Sequence, residues 1–363
     1  MKILIVVTKS EIGGTQVFAL NLARGLKESG KDVVVAGGPG KYLPEELSKI
    51  DVPFYRFKNL KRSYNPFQMF KFIMELKNYV KNEGFNVVHL NSSNALFGVW
   101  GLSNLNLKPK IVFTVHGLSF LDKNHNINFL AKYLYGLFFK CAWRKVSSLV
   151  FVSHLNYQSS IDRGLTKKGE VIYNGVFLPK NYFLKKEESR EFLQDRIEID
   201  LSGFYIYGSI GRLAYPKNYE FLIESHKEVK KLFPQAKLIL IGEGPERNKY
   251  ESLINSLNLK EDVFLFGEEK NASRLLKTFG LFVLPSFFEG MSLSLVEAVA
   301  SGIPVLASRV GGNEEIIGVD NCFELNNKED FLNKIKDYKI VNIAKSTFDF
   351  EIMINKYIKI YEV

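Results

Sequence analysis

Two carboxylates stand in one of the most apolar runs of the chain. In Ser286–Ser308, SFFEGMSLSLVEAVASGIPVLAS, Glu289 and Glu297 are separated by seven residues, with Gly290, Met291 and Ser292 following the first. A carboxylate withdrawn from water is costly unless it is paired or hydrogen-bonded. Both residues therefore call for a cation or for a ligand rich in donors. The hydroxyls of a ribose or a sugar are such donors, and backbone N–H groups between the carboxylates suit phosphate. A structural reading of the pair alone stays equally open: Glu297 in an ion pair with Arg212 or Lys217, and Glu289 favouring a helix N-terminus.

Glycine loops follow other strand-like runs: SEIGGTQ with Gly13 and Gly14, VHGLS with His116, SIGRLAYPKN with Gly211, Arg212 and Lys217, and IGEGPER with Glu243. A glycine loop opening a helix presents free N–H groups and the positive end of the helix dipole to an anion. Each loop alone is unspecific, since glycines end strands for turn geometry. The G-x-G-x-x-G dinucleotide fingerprint is absent, because Gly242 and Gly244 run into Pro245, Glu246 and Arg247, and this disfavours a nicotinamide oxidoreductase. No Asp-x-Asp pair and no clustered His, Cys and Asp set offers a divalent ion its ligands, so no metal and no cofactor are expected. His89, His125, His154 and His226 are scattered and read as surface or hydrogen-bonded histidines. Ser292 and Ser294 do not form the elbow of a serine hydrolase.

Such loops need strands behind them. Strands are expected near Ile3–Val7, Val33–Ala36, Val87–Leu90, Ile111–Val115 and Leu149–Val152, then near Tyr205–Ile210, Lys237–Ile241, Val263–Phe266, Leu281–Leu284 and Pro304–Ala307. Helices are expected near Thr15–Ser29, Pro66–Lys81, Ile127–Lys145 and Leu155–Arg163, and near Asn218–Leu232, Pro245–Leu257, Ser292–Ser301 and Lys328–Lys336. This alternation gives α/β architecture, with one helix-covered parallel sheet in each half. At 363 residues the chain exceeds one domain of about 100–200 residues. The charged stretch Lys180–Asp200 separates residues 1–180 from 181–345, and 346–363 reads as a closing amphipathic helix that packs back on the first domain.

Composition is that of an ordinary globular protein, 46% hydrophobic and 24% charged, which excludes disorder. The opening MKILIVV runs straight into TKSEIGG and reads as a buried strand rather than a signal peptide. No apolar run reaches the ~18 residues of a membrane span. Cys141 and Cys322, far apart, suggest unpaired thiols in a reducing compartment, hence the cytoplasm. The net charge of +10 is uneven: residues 1–180 hold 25 Lys and Arg against 11 Asp and Glu (+14), and residues 181–363 hold 24 against 28 (−4). An anionic partner for the first half follows.

Taken together, GGTQVFALNLARGLKESGKDVVV, TVHG, FVSHLN, VIYNGV, GRLAYPKN, LIGEGPE, VFLFG and LPSFFEG, in that order, with the E-x7-E block of Glu289 and Glu297, resemble the retaining glycosyltransferases of family 4 over nearly the whole chain. The resemblance implies a GT-B fold: two Rossmann-like domains facing across a cleft, the first binding the acceptor and the second the sugar-nucleotide donor. It implies transfer of a glycosyl unit with retention of configuration, the leaving phosphate itself helping to deprotonate the acceptor hydroxyl. By position, Glu297 would accept the ribose hydroxyls, Glu289 those of the donor sugar, and Arg212 and Lys217 would clamp the diphosphate. Gly290, Met291 and Ser292 would offer N–H groups, Gly13 and Gly14 would let the first domain approach the phosphates, and His116 would contact the donor sugar. Gly211 and Glu243 join the donor-binding set. Thr15 and Gln16 stand where the family often has a small residue and Glu, and Asn218 where it often has Gly.

For the acceptor, Phe54–Lys81 and Ile127–Val146 interleave bases with aromatics. Either they dock on an anionic membrane that carries a lipid-linked acceptor, or they are ordinary helices with solvated lysines and buried aromatic faces. No nucleic-acid module is present. The reading is a cytoplasmic transferase, peripheral on the inner face of the cell membrane, that moves a sugar to a glycan or lipid-linked acceptor in cell-surface polysaccharide or glycolipid assembly. Its rivals are a GT-B sugar-nucleotide epimerase and a non-catalytic sugar-nucleotide-binding partner of a transferase.

Overall fold

The computed structural model describes residues 1–63, 65–106, 108–118, 128–338, 340 and 347–362. The chain divides into two compact units: Met1–Phe177 with Phe348–Val363, and Leu178–Thr347. The expected start of one helix, Ile127, and His125 lie outside the described residues.

Among the described residues the first unit holds a seven-stranded sheet of β1 (Lys2–Val7), β2 (Asp32–Gly37), β3 (Phe54–Arg56), β4 (Val87–Asn91), β5 (Lys110–Val115), β6 (Ser148–Phe151) and β7 (Glu170–Val171). The spatial order is β3-β2-β1-β4-β5-β6-β7 and every pair is parallel. Residues Ile3 to Val7 are all fully buried, the unbroken apolar run of a sheet covered on both faces. Alternate residues serve the two faces. Leu4, Val6, Val88 and Leu90 pack with Phe72, Leu76 and Val80 of the helix Pro66–Glu83. Ile3, Ile5, Val7 and Val87 pack with Phe18 and Leu22 of the helix Gly14–Glu28 and with Met353, Ile354 and Tyr357 of the helix Phe350–Glu362. That last helix approaches closely because Gly25 is bare: a Cβ there would lie 2.3 Å from Ile354 Cγ1.

The second unit holds, among the described residues, a six-stranded parallel sheet of β8 (Tyr205–Ile210), β9 (Ala236–Ile241), β10 (Val263–Gly267), β11 (Leu281–Leu284), β12 (Val305–Ser308) and β13 (Cys322–Phe323), in the order β10-β9-β8-β11-β12-β13. Its core joins Tyr207, Leu238, Leu240 and Val283 to Phe221, Leu222 and Val229 of the helix Tyr219–Leu232.

The structure adds elements that sequence periodicity did not suggest. β3, β7 and β13 are too short to show a period. The charged boundary stretch contains a helix, Lys186–Ile197, that fully buries only Ser189 and Leu193. Asn65 caps the helix Pro66–Glu83, its side chain accepting from Phe67 N at 3.0 Å, with Pro66 at the first turn. The aromatic faces expected to be buried there are only partly so: Phe67 and Phe70 are 67% and 60% exposed, and in the helix Phe129–Trp143 Leu130 and Tyr133 are 64% and 62% exposed.

Candidate functional site

In an open parallel sheet, ligands bind at the carboxyl edge where the strand order reverses. That reversal lies between β1 and β4 in the first unit and between β8 and β11 in the second. The residues singled out by sequence gather at these two edges.

In the second unit the loop after β8 carries Gly211, Arg212 and Lys217, and the loop after β11 carries Glu289 to Ser292. Lys217 Nζ lies 2.8 Å from Glu289 Oε1, with the two side chains 19% and 12% exposed. Ser286 Oγ donates to the same oxygen at 2.7 Å. The loops are clamped by Asn218, whose amide nitrogen donates to Pro285 O and to Asn326 Oδ1, both at 3.0 Å, and by Phe287 N donating to Pro216 O. Asn218 sits at φ 56°, a left-handed conformation that Asn tolerates, so it can replace the glycine expected there. Burial opposes the charge of Lys217, but Glu289 and Tyr219 outweigh it and its pKa is raised. Lys217 is thus a fixed cation. A Cβ on Gly211 would lie 2.7 Å from Tyr219 Oη and 3.2 Å from Lys217 Cε, so the bare glycine leaves room for both. Arg212 is exposed, and its guanidinium has no protein partner among the described residues.

Glu297 lies on the helix Leu293–Ala300, whose cap, Ser292, accepts from Leu295 N at 3.4 Å. The structural pairing considered for Glu297 is not made: it has no ion pair among the described residues, and Lys217 goes to Glu289 instead. Burial raises the Glu297 carboxyl to about 7, with a hydrogen bond from Ser273 acting the other way. Tyr182 Oη lies 2.8 Å from Ser273 Oγ. Gly290 and Met291 are buried, and Gly312 N donates to Gly290 O at 3.0 Å. The carboxylate of Glu243 is turned to its own loop, accepting from Gly244 N at 3.1 Å and pairing with Arg247 Nη1 at 2.9 Å. Only its backbone borders the Arg212 loop, through Leu213 N donating to Glu243 O at 3.0 Å.

In the first unit Gly14 opens the helix Gly14–Glu28 and Gly13 precedes it in extended backbone. A Cβ at Gly14 would meet nothing, so its bareness serves no packing need of the fold. Gln16 is tied back to the loop, its Nε2 donating to Lys9 O at 2.9 Å. His116, just past β5, is half-buried; its Nε2 lies 2.9 Å from Asn91 Oδ1 and its ring meets Phe18 edge-on at 4.6 Å. Burial lowers its pKa to about 3. Next to Asn91, Ser92 has φ 114° and its Oγ lies 2.5 Å from Thr8 Oγ1. Asn91, Ser92, Thr8 and Ser286 were missed from sequence because they stand at strand ends and in loops without a motif of their own, and Ser273 because it lies in the short 3-10 helix Ala272–Thr278, which carries none either. Among the described residues no three His, Cys, Asp or Glu are grouped as metal ligands.

The family model described as Glycosyltransferase Family 4 matches residues 12–178, and that described as Glycosyl transferases group 1 matches residues 191–341. The chain is similar to UDP-Gal:alpha-D-GlcNAc-diphosphoundecaprenol alpha-1,3-galactosyltransferase of Escherichia coli, 28% identical over 319 residues, which cover 83% of this chain and 78% of that protein. It is 25% identical over 316 residues to N-acetyl-alpha-D-glucosaminyl L-malate synthase of Bacillus anthracis, covering 84% and 78%. Among solved structures, Anabaena HepE in complex with UDP and glucose matches with a TM-score of 0.82 at 19% identity, covering 100% of this chain and 99% of that one. The fold is GT-B.

Proposed function

From its membership of glycosyltransferase family 4, we infer that the chain moves a sugar from a nucleotide-sugar donor to a glycan or lipid-linked acceptor, with retention of anomeric configuration. The observation that carries this reading is the enclosed Lys217–Glu289 pair at the strand-order reversal of the second unit, with the exposed Arg212, which has no protein partner among the described residues, in the same loop.

In the reaction, the bond from the sugar's anomeric carbon to the leaving phosphate oxygen breaks. A bond to the acceptor oxygen forms on the same face, and the acceptor's proton passes to the phosphate. Arg212 and Lys217 offset the charge that grows on the leaving diphosphate, which favours the transition state over the ground state. With two cations so placed, the reading needs no metal. Glu289 has one oxygen occupied by Lys217 and Ser286, and the other takes a sugar hydroxyl. Glu297 accepts the ribose hydroxyls as a carboxylate, a form those donors favour. In the second unit the backbone of Gly290 to Ser292 and the bare position Gly211 complete the phosphate surroundings, and Glu243 contributes through its main chain. The first unit, taken by itself, offers the bare Gly13 and Gly14 to a phosphate and His116 to a hydroxyl of the donor sugar.

For the acceptor side, the exposed Phe67 and Phe70 are flanked by exposed Lys61, Arg62, Lys71 and Lys81. Apolar side chains ringed by bases suit an anionic membrane surface. Among the described residues no helix is long and apolar enough to cross a membrane, and the proposed attachment is peripheral, on the cytoplasmic face. The Escherichia coli relative carries a diphosphoundecaprenol-linked sugar in its name, which supports a lipid-linked acceptor in polysaccharide or glycolipid assembly.

The test is a thermal-shift panel of UDP, GDP, ADP and CMP with their sugar conjugates, in EDTA. One base class at about 100 times its dissociation constant should add ~2.7 kcal/mol to the folded state and raise the melting temperature. No shift with any nucleotide, from well-folded protein, would sink the donor-site reading.

A further inference from the structure

A run of hydrogen bonds in the first unit leads from the helix Phe350–Glu362 to His116. Tyr361 Oη lies 2.6 Å from His89 Nδ1. His89 Nε2 lies 2.7 Å from Thr114 Oγ1, which lies 3.0 Å from Tyr357 Oη. All four side chains are buried. The backbone carbonyl of this anchored His89 receives Asn91 Nδ2 at 3.3 Å, and Asn91 Oδ1 lies 2.9 Å from His116 Nε2.

The two contacts settle which way the Asn91 amide points. Reversed, its oxygen would face the His89 carbonyl and its NH2 would face His116, setting two acceptors against each other between Asn91 and His89, both fully buried. With its oxygen towards His116, Asn91 can only accept, so Nε2 must carry the imidazole proton. Burial holds the ring neutral, and Nδ1 has no protein partner among the described residues. Asn91 is itself pinned from behind, since the backbone turns at once into Ser92, at φ 114° and bonded to Thr8. A non-glycine residue kept in that region marks backbone over-determined by its surroundings.

We propose that Asn91 is a positioning residue that fixes the His116 proton on Nε2, leaving Nδ1 as a bare acceptor for a hydroxyl of the bound sugar. The proposal rests on the reading of His116 as a donor-sugar contact. Its alternative is that Asn91 merely fills polar valences at the end of β4, in which case the state of the His116 ring would not depend on it.

Nitrogen NMR of histidine-labelled full-length protein, with the His116 signals assigned by their loss in His116→Gln, separates the two. In the wild type, Nε2 is protonated, Nδ1 is bare, and the ring does not titrate between about pH 5 and 8. Asn91→Asp is isosteric and places a carboxylate against the ring, which favours imidazolium. The His116 signals then titrate within that window, and kcat falls about 10-fold or more on its acid side, with recovery above it and a smaller change in KM. Asn91→Ala releases the ring, so both tautomers appear and kcat falls at every pH. An unchanged tautomer and no titration in Asn91→Asp, or wild-type transfer by both variants, overturns the proposal. The spectra are read on the free protein, so a failure to find transfer by the wild-type chain bears on the functional reading alone.

Discussion

Both sheets reverse their strand order at the centre, yet the edges they present there are chemical opposites. The first unit is built mostly from the strongly basic half of the chain, yet at its edge His116 bonds Asn91 and Ser92 bonds Thr8 through uncharged hydrogen bonds, with the Lys9–Glu11 pair exposed beside them. The second is built from the weakly acidic half, and its edge concentrates Lys217, Glu289 and Arg212. Net charge therefore described the surface and said nothing of the site. Partners decide the difference. Among the described residues no carboxylate stands against His89 or His116, and burial strips their charge. Lys217 keeps its charge under similar burial because Glu289 is 2.8 Å away.

The contrast is broken most severely by Lys217→Ala, which leaves Glu289 without its cation and the diphosphate without a fixed charge. A fall in kcat of about 10²–10³-fold, or roughly 2.7–4 kcal/mol, is expected from the loss of one such group, in protein that still melts cooperatively. Near-normal turnover would remove Lys217 from the machinery. Next in size is Glu297→Gln, which tests whether a charge in the second unit lacks a partner. The carboxyl is raised from 4.5 to about 7 in the folded state. The folded protein thus holds a proton that the unfolded chain releases between those values. Wild-type stability should fall as pH rises through that window, by at most roughly 3 kcal/mol, and the variant should lack this slope in urea melts taken from about pH 4.5 to 7. An unaltered slope would mean that Glu297 titrates normally. The smallest effect sharpens the neutral edge. Ser92→Ala and Ser92→Gly both lose the bond to Thr8, but only glycine relaxes φ 114°, so the Gly variant should be the more stable by about 1 kcal/mol. Equal urea midpoints would show that the backbone there is unstrained.

What could be read in advance was local. Ile3 to Val7, Tyr205 to Ile210 and Leu281 to Leu284 announce themselves as apolar β-branched or aromatic runs, and the glycine loops after them follow within a few residues. The helix Lys186–Ile197 escaped notice because its apolar stripe is almost absent. Partner choice was the harder matter. The structural reading of the sequence offered Lys217 to Glu297, but with Asn218 clamping the loop onto Pro285 and Asn326 it pairs with Glu289 instead. His89 read as one of several scattered histidines, since nothing near it in sequence foretells Tyr361, Thr114 or Tyr357; two of those partners come from the far end of the chain.

That distance bears on how the molecule is made. The helix Phe350–Glu362 supplies Met353, Ile354 and Tyr357 to the core beside β1 and β4, yet the ribosome delivers it only after all of Leu178–Thr347. At about 5–20 residues per second, the nascent first unit waits roughly 10–30 s with Phe18, Leu22 and the cradle at Gly25 uncovered and His89 lacking Tyr361. The second unit is contiguous in sequence and complete before that helix emerges, so synthesis favours finishing the later-encoded unit first.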